Sequence, residues 1–195
     1  MQKLTEMSNE QLWELFPIVL MQHSPKWSQW FKEEARNLEE CLGQSRILRL
    51  SHIGSTAVPG LLAKPTVDML LEISGEVQEK ALIQALEADG YLYTPQPEKP
   101  APHMMFMKGY TLGGFAERVY HLHVRYLGDW DELYFRDYLQ AHEEAAEQYA
   151  ALKRQLQQKL EHDRDGYTQA KGAFVGRVTQ LARAEFADRY RPAAK

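Results

Sequence analysis

Thr66-Val67-Asp68-Met69-Leu70-Leu71-Glu72-Ile73 is nearly continuous apolar sequence with an acid set inside it. A run of this length without polar alternation is the pattern of a central strand covered on both faces. Asp68 is therefore conspicuous, because an ionised carboxylate on such a strand is costly unless a cation or strong donors meet it. A metal ion, an arginine such as Arg49 or Arg118, or the N–H groups of a turn are the available partners. Glu72 lies on the same face, but four residues of strand separate the two Cα atoms by about 13 Å, too far for both to hold one ion. Leu70, at the useful i+2 position, ligates nothing.

Upstream, Ile47-Leu48-Arg49-Leu50-Ser51-His52-Ile53 reads as a strand running into Gly54-Ser55-Thr56, and Lys64-Pro65 restarts the extended chain. A small-residue turn leaving a strand lets backbone N–H groups and hydroxyls approach a phosphate closely, with Ser55 and Thr56 as donors. An ordinary strand-to-loop turn has the same outline. Downstream, Arg118 to Tyr126 reads as another strand. Its period of two puts His121 and His123 on one face, with Val119 and Arg125. A His-x-His pair suits Zn²⁺, Mn²⁺, Fe²⁺ or Ni²⁺ better than Mg²⁺, which prefers oxygen. Two histidines bonded within a sheet would look the same.

Further from the centre, Ser8 with Gln11 resembles a capping box for a short helix that Pro17 ends. Ile18 to Gln22 predicts a brief strand, and Ser24-Pro25 opens a helix stopped by Gly43. Glu76 to Asp89 predicts a helix, and Tyr91 to Thr94 and Met104 to Lys108 predict strands. Pro95 to Pro102, with four prolines in eight residues, is a loop. From Asp131 the pattern is helical, over Asp131 to His142, Glu144 to His162 and Asp165 to Tyr190, with Leu152, Leu156 and Leu160 as a core stripe. The expected class is α+β, a mixed sheet of about five strands flanked by helices. Residues 1–128 form the sheet-bearing module, and residues 129–195 form a helical part packed on it as one compact unit.

Composition narrows the partners. In 195 residues, 23 Lys and Arg against 27 Asp and Glu give a net charge of −4, which excludes the basic footprint of a general nucleic-acid binder. A composition that is 44% hydrophobic supports a sizeable core. The lone Cys41, an opening Met1-Gln2-Lys3-Leu4-Thr5-Glu6 without an apolar leader core, and no apolar run near the roughly 20 residues of a membrane span predict a cytoplasmic protein.

His52-Ile53-Gly54-Ser55-Thr56-Ala57-Val58-Pro59-Gly60-Leu61 followed by Ala63-Lys64-Pro65-Thr66-Val67-Asp68 resembles the signature of the GrpB family. The resemblance continues in Leu122-His123-Val124, in Phe135-Arg136-Asp137-Tyr138-Leu139, in Tyr149 to Lys153 and in Tyr167 to Phe174, and spans about Leu15 to Ala182. That family is similar to the DNA polymerase β-type nucleotidyltransferases, in which a Gly-Ser turn and a downstream pair of strand acids hold metal and nucleoside triphosphate. The resemblance implies a nucleotidyltransferase-like sheet, with Gly54 and Ser55 as the turn and Asp68, separated from Ser55 by twelve residues, as the first acid. Leu70 departs from the second acid, and the third falls in the region of His121 or His123. Transfer of a nucleotidyl group to an acceptor is the implied activity. The implied site has Asp68 as catalytic acid, a divalent ion (Mg²⁺ or Mn²⁺, with Zn²⁺ as the further option) held by Asp68, His121 and His123, and Gly54, Ser55, Thr56 and Lys64 on phosphate. His52, Arg136, Lys153 and Lys171 support it. The alternatives are a non-catalytic module binding a nucleotide or phosphometabolite, which Leu70 favours, and a His-x-His metal hydrolase.

Overall fold

A computed structural model describes residues 4–193. Met1 to Lys3, the first half of the stretch judged for a leader, and the last two residues of the 129–195 part lie outside the described residues. Strands β1 (Ile47–Ile53), β2 (Val67–Ile73), β3 (Leu92–Thr94), β4 (Met104–Thr111) and β5 (Gly114–Tyr126) form one mixed sheet in the order β1-β2-β5-β4-β3. β2 runs parallel to β5 and every other pair is antiparallel. The strand containing Asp68 is thus interior, as its unbroken apolar sequence requires.

Alternation along β2 decides which side chains meet which layer. Met69, Leu71 and Ile73 point into the main core, beneath helices α2 (Lys26–Leu42) and α3 (Glu79–Ala88), with Trp27, Leu38, Leu82 and Leu86. Each fully buried leucine there contributes about 2 kcal/mol of apolar burial. Asp68, Leu70 and Glu72 take the opposite face, where Leu70 packs with Ile53 and Leu133. Glu72 is fully buried and is held by Arg49, its cross-strand neighbour, and by the Gly128 N–H at 3.0 Å. That face is covered by α4 (Asp131–Ala141), α5 (Glu143–Leu160), α6 (Arg164–Ala170) and α7 (Gly172–Phe186). A second core joins them to the turn region, through Val58, Leu61 and Leu62 against Phe135, Tyr149 and Val178.

The opening helix α1 (Asn9–Leu15) has the full Ser8–Gln11 capping box, and the Gly43 N–H closes α2 on the Glu39 carbonyl at 3.0 Å. Two expectations need correction. Ile18 to Gln22 is not a strand: only Met21 makes a bridge, to Ala63, because the Ile18 N–H donates to Glu161 and its carbonyl accepts from Gln157, tying this segment to the C-terminal helices. The helix expected over Asp165 to Tyr190 is two. Asp163 caps α6 through the Gly166 N–H at 2.8 Å, and the chain turns at Lys171 before Gly172 restarts it as α7. Among the described residues, no helix is long and apolar enough to cross a membrane.

Candidate functional site

The parallel register of β2 and β5 sets Asp68 beside His121 and Leu70 beside His123. Antiparallel β1 delivers its C-terminal residue, Ile53, opposite Asp68, so the chain leaves the sheet at Gly54 directly over the carboxylate. Gly54 has φ 68°, and a Cβ there would stand 2.5 Å from Asp68 Oδ2. Glycine is required for both reasons: the left-handed conformation and the close approach. Ser55–Ala57 then forms one 3-10 turn.

The carboxylate of Asp68 is 28% exposed at the edge of a cavity of about 770 Å³. His121 Nδ1 donates to Asp68 Oδ1 at 3.2 Å, and His123 Nε2 lies 3.9 Å from the same oxygen. Burial works to raise the Asp68 pKa, but the hydrogen bond from His121 and the nearby His123 imidazole outweigh it and hold the group well below the usual carboxylate range. His121 is pushed down by burial, against the opposing pull of Asp68. With its Nδ1–H committed to Asp68, its Nε2 accepts from the Tyr110 hydroxyl at 2.7 Å, and Arg164 donates to that hydroxyl at 3.0 Å. Arg164, Tyr110, His121 and Asp68 therefore form one continuous chain of donors.

Four cations line the same cavity, namely Lys64, Lys153, Arg164 and Lys171. Lys153, almost fully buried on α5, donates to Ser55 Oγ at 3.0 Å and to the Leu62 carbonyl. Lys64 and Lys171 stand over the ring of Tyr167, 5.8 and 4.4 Å from its centroid. Neither has a hydrogen-bond acceptor among the described residues. Burial, reinforced by mutual repulsion among these cations, lowers Lys64 and Lys153 to about 7. Lys171 is also lowered by burial, with Asp68 pulling the other way. Four cations thus share the cavity with two carboxylates, Asp68 and Asp165, and burial keeps solvent from screening their mutual repulsion.

Not every expected residue serves this cavity. The Thr56 hydroxyl is committed, donating to the Thr66 carbonyl at 3.0 Å and accepting from His52 Nε2 at 3.0 Å. His52 stacks on Phe31 with ring centroids 4.9 Å apart, and burial lowers its pKa to about 4. Arg136 turns away, donating to Asp137, the His52 carbonyl at 2.9 Å and the Tyr190 hydroxyl. Neither arginine considered for Asp68 meets it: Arg49 pairs with Glu72 and Arg118 with Glu33 at 2.6 Å. Arg164, Tyr110 and Tyr167 were not visible as site residues in sequence. The Asp163-Arg164-Asp165-Gly166 helix start carried the one local signal.

The donor set does not fit the paired-carboxylate metal site of the nucleotidyltransferases. Leu70 holds the second acid position, fully buried in apolar contacts, and both His121 nitrogens are already engaged. Among the described residues, no three His, Cys, Asp or Glu side chains converge to hold an ion.

The GrpB protein family model matches residues 17–181. A UPF0157 protein of Pseudomonas aeruginosa is 36% identical over 174 residues, covering 89% of this chain and 70% of the relative. The UPF0157 protein YqkA of Bacillus subtilis is 32% identical over 170 residues, and the chain spans about half that relative, 85% of this chain matching 47% of it. Among solved structures, conserved protein GrpB from Enterococcus faecalis has a TM-score of 0.74 at 29% identity, covering 86% of this chain and 99% of that one. The Cid1 poly(U) polymerase bound to Mg 3′-dATP is a remote likeness, with a TM-score of 0.43 at 15% identity over 68% of this chain and 41% of that chain. The matched residues run unbroken through the glycine turn, Asp68, both strand histidines and all three cleft lysines, and the chain belongs to the GrpB family.

Proposed function

We propose that this cleft binds the phosphates of a nucleotide or a similar phosphate-bearing small molecule. One observation carries the reading: Lys64, Lys153, Lys171 and Arg164 line the same cavity as the Gly54-Ser55 turn, four cations against two carboxylates, Asp68 and Asp165. Lysine ammonium groups and the Arg164 guanidinium are suited to phosphate oxygens as point-charge and forked donors respectively. The cavity also has room for more than a phosphate, and the cytoplasmic setting expected from the sequence supplies nucleotides. Nucleotidyl transfer through two metal ions relies on carboxylates clamping the attacking and leaving oxygens. Leu70 removes one of them, so the geometry supports binding better than transfer. A His-x-His hydrolase is supported less, since His121 has no free nitrogen to offer a metal.

Thermal unfolding with a panel of nucleoside triphosphates, each with and without Mg²⁺, Mn²⁺ and Zn²⁺, tests the reading. A ligand present at about 100 times its Kd stabilises the native state by about 2.7 kcal/mol. For a chain of this size that raises Tm by roughly 5–10 °C. Lys171→Gln is expected to lose most of the shift. If no phosphate-bearing compound moves the transition, with or without metal, the reading is wrong.

A further inference from the structure

Resting on the phosphate reading above, we infer that the cleft holds a polyphosphate ligand without a divalent metal ion, its own lysines and Arg164 meeting the ligand's charge. A metal in a phosphate site does two things: it neutralises phosphate oxygens and it bridges them to protein carboxylates. This cleft has a resident substitute for the first and lacks the means for the second.

The bridging role fails on the donor set. Asp68 Oδ1 faces two imidazoles, His121 Nδ1 at 3.2 Å and His123 Nε2 at 3.9 Å, and its Oδ2 lies under Gly54. Its negative charge is thus answered from within the protein, with Tyr110 and Arg164 fixing His121 from behind. The neighbouring position that would complete a carboxylate pair is Leu70, locked against Ile53 and Leu133. Asp165, the other carboxylate lining the cavity, is exposed in the first turn of α6, and no three ligating side chains converge among the described residues.

The neutralising role is already filled. Four cations border one cavity, and two of them, Lys64 and Lys171, have the Tyr167 ring face as their contact instead of an anion. The Tyr167 side chain is fully buried in the cavity wall, and its hydroxyl has no hydrogen-bond partner among the described residues. A buried hydroxyl without a partner is rare, since it has given up its hydrogen bonds to water without a replacement. A phosphate oxygen seated between the two lysines gives both amines an anion and brings an acceptor to the edge of Tyr167. The lowered pKa values of Lys64 and Lys153, caused first by burial and then by the neighbouring cations, agree with this. A divalent ion travelling with the ligand would cancel charge that the lysines are placed to meet and would compete with them for the same oxygens.

Titration calorimetry with inorganic tripolyphosphate and with ATP, in EDTA and in excess Mg²⁺, tests the inference on the wild-type chain. Binding in EDTA is expected to be as tight as in Mg²⁺ or tighter. Lys171→Gln, whose side chain is partly exposed and whose fold is checked by circular dichroism, is expected to weaken the EDTA binding about tenfold, the scale of one charge-assisted contact. Tyr167→Phe is expected to weaken it about threefold without loss of fold. Binding seen with Mg²⁺ or Mn²⁺ alone overturns metal independence and leaves the phosphate reading standing. Binding in EDTA that is indifferent to Lys171→Gln overturns the assignment of these cations. No binding of either compound under any condition overturns the phosphate reading itself.

Discussion

The C-terminal helices carry two sets of cations that differ in one respect. Arg183 reaches Asp129 and Asp131, and Arg136 and Arg189 both reach Asp137, whose Oδ2 also accepts from the Tyr190 hydroxyl at 2.5 Å. Lys153, Arg164 and Lys171, on the same helical part or at its turns, meet hydroxyls, carbonyls and aromatic rings but no carboxylate. The first set fastens the helices to one another and to the sheet. The second faces a cavity. A cation held in a protein wall without a counter-ion is unfavourable by itself, so its persistence points to a partner from outside, whereas a paired cation is accounted for by the fold.

A paired cation deprived of its carboxylate should weaken the fold and leave ligand binding alone, and Arg49 of β1, paired like the helix arginines, should show the largest loss. Glu72→Ala leaves Arg49 with only the Gly128 and Tyr190 carbonyls and takes the acceptor from the Gly128 N–H, and removing one member of a buried ion pair is expected to cost about 3 kcal/mol, read as a lower urea midpoint. The response to phosphate ligands should survive in the folded fraction, because Glu72 lies about 13 Å up the strand from Asp68. Asp137→Asn is milder. Asparagine keeps one acceptor, for Arg136, but turns its NH2 toward the Tyr190 and Arg189 donors and loses the charge, for an expected loss of about 2 kcal/mol and again no change in ligand response. A ligand response abolished by either variant would show that the two sets are not separate.

Sequence revealed the site's floor better than its walls. Asp68 stood out because a strand buried on both faces leaves an acid no neutral explanation, and the period of two correctly put His121 and His123 on one side of β5, where the register sets them against it. Gly54 was legible as a turn residue, though the carboxylate pressing on it was not. The walls come from far along the chain: Lys153 and Lys171 were named only through the family resemblance, and Arg164 and Tyr167 were missed, because α5 to α7 reach the cavity by packing over Val58, Leu61 and Leu62 and no local pattern encodes a contact across some hundred residues. Arg136 shows the converse failure. A cation on the right helix looked like a cleft residue until Asp137, its immediate neighbour, and Tyr190 claimed it. The split at Lys171 escaped detection because Gly172 alone is a weak break, yet that turn is what sets Lys171 over Tyr167.

The smallest expected effect runs opposite in sign to the others and bears most directly on the comparison. Lys64→Met keeps an apolar stem of similar reach and removes an amine that has no acceptor, so the ligand-free protein should become more stable, by about 1 kcal/mol at pH 7. The pH dependence follows from the folded pKa of about 7 against the ordinary 10.5. Between those values the unfolded chain holds a proton on Lys64 that the folded protein does not, so wild-type stability carries its full deficit below about pH 7 and recovers as pH rises toward 10.5. Lys153, lowered to about 7 as well, adds a parallel slope that Lys64→Met leaves in place. Chemical denaturation at pH 7 and pH 10 should therefore find the variant ahead of wild type at pH 7 and the gap closing at pH 10. The same variant should lose stabilisation by tripolyphosphate. Greater stability joined to weaker binding would mark Lys64 as a residue retained for its ligand at the expense of the fold, and a variant less stable than wild type at pH 7 would place it with the arginines.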